Sequence, residues 1–128
     1  MKVAITAETG VGLDAQVAGH FGQTSYFVLA EIADGTIAAT EVLANPFLAG
    51  HRPGEVPAFI RAHGANVILS GGMGIRAIHI FDAHDITAVT GASGTVRQAV
   101  TDYLAGALAG ASPCADSVKH HHGAPSHV

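Results

Sequence analysis

The order of apolar and polar positions divides the chain into alternating strand-like and helix-like segments. Lys2 to Ala7 is a short apolar run of strand length. Residues 8 to 24, ETGVGLDAQVAGHFGQT, hold four glycines and little periodicity, and read as a long, mobile loop. Tyr26 to Ile32 and Thr36 to Leu43 are two strand-like runs joined through Ala33, Asp34 and Gly35. A glycine-containing connection this short predicts an antiparallel hairpin. Both faces of the first run are largely apolar, which suits a central strand covered on two sides.

A second loop, ANPFLAGHRPG, leads to a helix predicted from about Glu55 to His63. There Val56, Phe59 and Ile60 recur at helical spacing, Pro57 falls in the tolerant first turn, and Gly64 stops the run. A strand from Asn66 to Ser70 follows, then a glycine-rich turn and a helix from about Gly74 to Ala83. Ile86 to Thr90 form another strand, and the last helix is predicted from about Thr95 to Leu108. Its apolar face collects Val96, Ala99, Val100, Tyr103, Leu104, Ala107 and Leu108. The predicted fold is α/β: a mixed sheet of about five strands with three helices, in the order β-β-β-α-β-α-β-α. After Ala109 the composition turns to Ser, Pro, Gly and His without apolar periodicity. Residues 1–109 therefore read as the folded domain and 110–128 as a flexible tail carrying Cys and His.

Composition narrows the function classes. Hydrophobic residues make up 48% of the 128 and charged residues only 12%, about half the usual share, which raises the question of a membrane. The longest stretch without Asp, Glu, Lys or Arg, Ala15 to Ala30, is broken by Gly19, His20, Gly22 and Gln23, and is too short and polar to span a bilayer. The apolar run at the N-terminus is too short for a signal peptide, so the expected location is the cytoplasm. A formal charge of -4 with no Lys/Arg cluster argues against nucleic acid, whose phosphates need neutralising. A single cysteine cannot close an intramolecular disulfide. Nine histidines in so lightly charged a chain are the main chemical lead.

Two strands end in glycine-rich turns that open helices, LSGGMGIRA (69–77) and VTGASGTVR (89–97). Glycine lets backbone N–H groups come close to a ligand, and a helix N-terminus favours negative charge. Side by side at the carboxyl edge of parallel strands, with Arg76 and Arg97 nearby, they would form one anion-receiving crevice. Gly72 to Ala77 also fits the GxGxxA form of a dinucleotide fingerprint. It lies mid-chain, however, and the next strand ends in Thr90-Gly91 rather than a ribose-binding acid. The element order is shared with ribonuclease H-like nucleases, which need carboxylates on neighbouring strands for two metals. Here Glu8 follows the first strand but the fourth ends in Ser70-Gly71-Gly72, so that chemistry is not expected. His51, His63, His79 and His84 read as solvated or helix-edge side chains, and no Ser-His-Asp arrangement can be assembled.

Three segments, VAGHFGQTSYF, SGGMGIRA and GTVRQAVTDYLAG, together resemble the dinitrogenase iron–molybdenum cofactor biosynthesis family. This is the NifX-like domain, found also at the C-terminus of NifB and in the NafY carrier, with orange-protein relatives. The resemblance covers about Met1 to Leu108. It implies a ribonuclease H-like domain without nuclease activity that binds, stores or delivers an iron–sulfur or mixed-metal (Fe, Mo or Cu) sulfide cluster, in exchange with a donor or acceptor protein. By position it places His20, Phe21, Gly22, Gly71, Gly72, Met73, Gly74, Arg76, Gly94, Thr95 and Arg97 around the cluster, with His20 as a metal ligand. Such clusters are commonly anionic, so N–H groups and a guanidinium can hold them, and an imidazole or thiolate can add a direct bond. The family motif usually continues His-Phe-Gly-Arg, whereas this chain has Gln23 and so lacks that cation. In the tail, Cys114 and His120, His121 and His122 are candidate metal ligands of a movable second set. The competing reading is a small-molecule or nucleotide-binding regulatory domain that uses the same glycine turns.

Overall fold

The computed structural model describes residues 1–47, 50, 54–108 and 110–111. Five strands and three helices follow in the predicted order: β1 (Lys2–Ala7), β2 (Tyr26–Ala33), β3 (Thr36–Ala44), α1 (Glu55–Ala62), β4 (Val67–Leu69), α2 (Ile75–Ala83), β5 (Thr87–Val89) and α3 (Val96–Leu104). The sheet order is β3-β2-β1-β4-β5. β1 pairs antiparallel with β2 and parallel with β4, and β4 pairs parallel with β5. This is the ribonuclease H-like α/β arrangement expected from the sequence. Parallel pairing brings the carboxyl ends of β1, β4 and β5 to one rim of the sheet, and every segment of the candidate site leaves from that rim.

Alternation along the strands splits the core in two. Val3, Ile5, Val28, Ala30, Val67, Leu69 and Val89 face α3 through Val96, Ala99 and Val100. Ala4, Phe27, Leu29, Ile68 and Ala88 face α1 and α2 through Val56, Ile60 and Phe81. Helices on both sides explain why β1 and β2 are apolar on both faces. Each fully buried Val, Ile, Leu or Phe here contributes about 1.5–3 kcal/mol, which offsets the cost of ordering the chain.

The hairpin turns through Asp34 (φ 54°) and Gly35 (φ 74°), the left-handed pair that matches the twist of two antiparallel strands. At the other end of the chain, α3 stops at Leu104 rather than at Leu108. Gly106 (φ 82°) donates to the Tyr103 carbonyl at 3.1 Å, and Ala107 N–H reaches back to Asp102 O at 2.8 Å. These two bonds form a Schellman turn with glycine at its left-handed position. The apolar pattern continues because Leu108 still packs on the α3-side core after the chain has left the helix. Beyond it the backbone returns to the rim of the candidate site, where Thr90 N–H donates to Gly110 O at 3.2 Å.

Candidate functional site

Residues 8–24 are more structured than a loose glycine loop. Two 3-10 turns, Gly12–Asp14 and Phe21–Gln23, punctuate them, and Ala15, Val17, Ala18, Phe21 and Thr24 are buried. Sparse small apolar residues gave no periodic signal, yet they are what the loop packs with. Phe21 is the main anchor, edge-to-face on Phe81 with centroids 5.1 Å apart. The neck of the loop is closed by Thr24, whose hydroxyl accepts Ala7 N–H at 3.1 Å and donates to Tyr26 O at 2.8 Å.

From this anchored loop, backbone hydrogen bonds reach both glycine turns. Gly71 N–H donates to Ala18 O at 3.1 Å, and Phe21 N–H to Gly72 O at 2.8 Å. Val17 N–H donates to Gly94 O at 2.9 Å, and Val96 N–H to Ala15 O at 2.8 Å. The turns are also joined to each other, Gly91 N–H to Gly71 O at 2.9 Å and Ala92 N–H to Ser70 O at 3.1 Å. Segments distant in sequence thus become one stitched rim.

The glycines at 71 and 72 have a different reason from the one the sequence suggests. A Cβ on Gly71 would sit 2.9 Å from the carbonyl oxygens of Ala18 and Gly19, and one on Gly72 would sit 3.0 Å from Gly19 O. At both positions the close approach that glycine permits is taken by the chain's own loop. Backbone donors without a partner lie further along. Among the described residues, the N–H groups of Gly72, Met73 and Gly74 in the first turn and of Ser93 and Gly94 in the second make no hydrogen bond.

The side chains divide by what they face. His20 and Arg76 are exposed at the rim, and the His20 ring lies against Gly72, with Nδ1 3.3 Å from where a Cβ would stand. Gly22 is exposed beside it. Met73 and Phe21 turn into the core shared with Phe81, so only their backbones border the rim. Thr95 caps α3 by accepting Gln98 N–H at 3.1 Å. Arg97 points to Asp14, with Nη2 to Oδ1 at 3.3 Å, and both side chains are more than half exposed. That partner lies 83 positions away in sequence, with no local signal to announce it. Positive character at this rim therefore comes from N–H groups and Arg76, with Arg97 engaged by Asp14.

Two other histidines have structural work. His63 and His84 follow the last residues of α1 and α2, and their Nδ1 atoms lie 2.9 Å from Phe59 O and 2.8 Å from Ile80 O. A carbonyl only accepts, so each Nδ1 carries the proton and caps its helix end. His79 is exposed on α2, and His51, Cys114, His120, His121 and His122 lie outside the described residues. Among the described residues no group of three or more His, Cys, Asp or Glu could hold a metal ion. The donor set at the rim, amides with one imidazole and one guanidinium, suits an anionic guest held mainly by hydrogen bonds. Among the described residues, no helix is long and apolar enough to cross a membrane.

Comparison with known proteins identifies the relatives of this chain. A family model described as dinitrogenase iron-molybdenum cofactor matches residues 1–106. The crystal structure of PH0822 is 37% identical, superposes with a TM-score of 0.76, and the match covers 86% of this chain and 96% of that one. The apo form of the orange protein from Desulfovibrio gigas is 32% identical with a TM-score of 0.77, over 88% of this chain and 93% of the other. A putative NifB protein from Thermotoga shares the fold at 22% identity and a TM-score of 0.69, over 85% and 91% of the two chains. No curated protein matches the sequence. The match over nearly the whole folded portion, with two relatives above 30% identity, shows that the chain belongs to the dinitrogenase iron–molybdenum cofactor family.

Proposed function

We propose that this protein binds, stores and hands on an iron–sulfur or mixed-metal sulfide cluster without turning it over. The observation that carries the reading is the convergence of the His20 loop and both glycine turns on one rim. That rim presents N–H groups with no partner among the described residues, an exposed imidazole and an exposed guanidinium. N–H groups at the starts of α2 and α3 favour an anionic guest, and His20 supplies one direct bond to iron or copper. Glu8 is the acid that leaves β1, and β4 is followed by Ser70 and glycine. This supports binding rather than two-metal hydrolysis. The cluster's donor and acceptor would be other proteins that compete for it at the open rim.

The tail extends the reading. Gly110 is held beside Thr90, so Cys114 begins four positions from the rim and His120 ten positions from it. At up to ~3.5 Å per residue both lie within reach of the crevice. Tethered there, the thiol and imidazoles gain effective concentration and act as a second ligand set that closes over the cluster and yields to an acceptor.

Anaerobic reconstitution tests the proposal. The protein is incubated with ferrous iron and sulfide, alone and with copper and tetrathiomolybdate, then desalted. Bound metal, sulfide and visible absorption are measured. Stoichiometric retention with charge-transfer bands is expected, together with reduced retention in His20→Ala at unchanged thermal stability. Failure to retain sulfide from any mixture would overturn cluster binding, and equal retention by His20→Ala would remove His20 from the site.

A further inference from the structure

Two hydroxyls lie fully buried where the neighbouring strand positions are apolar. Thr6 stands near the end of β1 and Ser70 just past β4, both at 0% exposure. Thr6 Oγ1 and Ser70 Oγ are 3.2 Å apart, and Ser70 Oγ is 3.2 Å from Gly72 O. Chemistry fixes the direction of the chain. The Gly72 carbonyl can only accept, so Ser70 donates to it, and the Ser70 oxygen then accepts from Thr6. Gly72 O is also the acceptor for Phe21 N–H at 2.8 Å. One carbonyl therefore sits between the sheet and the His20 loop, held from both sides.

We propose that Ser70, backed by Thr6, is the positioning residue of this site. It orients the Gly72–Met73 peptide and, through Phe21, the backbone that carries His20. Because a trans peptide is planar, its C=O and N–H point in opposite directions. Aiming the Gly72 carbonyl at Ser70 and Phe21 therefore aims Met73 N–H away from them, and that N–H makes no hydrogen bond among the described residues. The hydroxyl pair sets the direction in which the turn presents its donor. A fully buried and fully paired hydroxyl is costly to place in a core and specifies geometry once there. The inference rests on the proposed cluster binding only for what the oriented donor meets.

The test has two arms. In metal-free protein, amide hydrogen exchange by NMR compares Phe21 with Val28, a buried residue of the interior strand β2, in wild type, Ser70→Ala, Thr6→Val and Thr6→Ser. Ser70→Ala is expected to speed exchange at Phe21 about five- to tenfold relative to Val28, the effect of losing one hydrogen bond. Thr6→Val should give a smaller change of the same kind. Thr6→Ser keeps the hydroxyl and loses only a methyl, so it should leave the ratio unchanged. The second arm reconstitutes the same variants with ferrous iron and sulfide, and retention should fall in the order of the exchange ratios. An unchanged Phe21 to Val28 ratio in Ser70→Ala overturns the positioning role. So does a raised ratio with wild-type cluster retention. Wild-type protein that holds no iron or sulfide would defeat cluster binding, while the exchange arm still judges the role of Ser70.

Discussion

Replacing Gly71 with alanine is the sharpest probe of how the rim is assembled. The added Cβ would stand 2.9 Å from Ala18 O, 2.9 Å from Gly19 O and 3.0 Å from Gly19 Cα, all backbone atoms of the anchored loop. No flexible side-chain end is available to yield, so either the loop or the turn must move. Overpacking of this kind costs about 1–3 kcal/mol. Movement also weakens the Gly71 N–H to Ala18 O bond, worth about 1 kcal/mol net. Together these give a loss of roughly 2–4 kcal/mol. With a urea slope of ~1–3 kcal/mol per molar, the unfolding midpoint should fall by on the order of 1–2 M. Gly22→Ala is the control, because nothing lies within 4 Å of its added Cβ and its φ is not in the left-handed range. It should be neutral or up to about 1 kcal/mol stabilising. Urea titration followed by circular dichroism measures both. If Gly71→Ala and Gly22→Ala unfold at the same midpoint, the steric account of the Gly71 turn is wrong.

Three further outcomes are expected. Truncation after Ala111 should leave thermal unfolding unchanged but lower the iron retained after reconstitution or speed its transfer to a chelator. Identical content and transfer rate would show that the tail supplies no ligand. Gly106→Ala should lower stability by about 1–2 kcal/mol in a thermal melt, because φ 82° is strained for any residue with a Cβ; wild-type stability would argue against the Schellman turn. Asp14→Asn should cost less than ~1 kcal/mol, since its pair with Arg97 is largely solvated, and a larger loss by urea titration would mean that the pair holds the loop.

Periodicity carried the fold further than it carried the site. The strands and helices announce themselves through runs such as Tyr26 to Ile32 and the Val96, Ala99, Val100 stripe, because a sheet sandwiched by helices leaves a strong apolar record. The end of α3 was misplaced by following that record past Gly106, whose left-handed role is a local signal that outranks two more apolar residues. The loop of residues 8–24 gives no packing signal in the sequence because Ala15, Val17, Ala18 and Phe21 are too irregularly spaced for either template, although they are buried. At the rim, the motif glycines and His20 could be located from sequence. Their mutual geometry could not, since Phe21 to Gly72 and Val17 to Gly94 are backbone bonds that leave no trace in side-chain identity. The same holds for Arg97, whose charge is visible in the sequence but whose diversion to Asp14 is not.

The two ends of the folded chain lie at opposite rims of the sheet, and this bears on how the protein should be handled. Met1 is tied beside the hairpin, its ammonium 3.2 Å from Ile32 O and 3.6 Å from Glu31. Gly110 is tied beside Thr90, where β5 opens into the second glycine turn. A polyhistidine purification tag fused after Val128 would follow the chain end that is tied on the side of the proposed site, and its imidazoles would compete for whatever metal is under study. The same tag placed before Met1 would start from the opposite rim, the length of β1 away from the proposed site. Metal stoichiometries for this protein are best taken from N-terminally tagged or tag-free material.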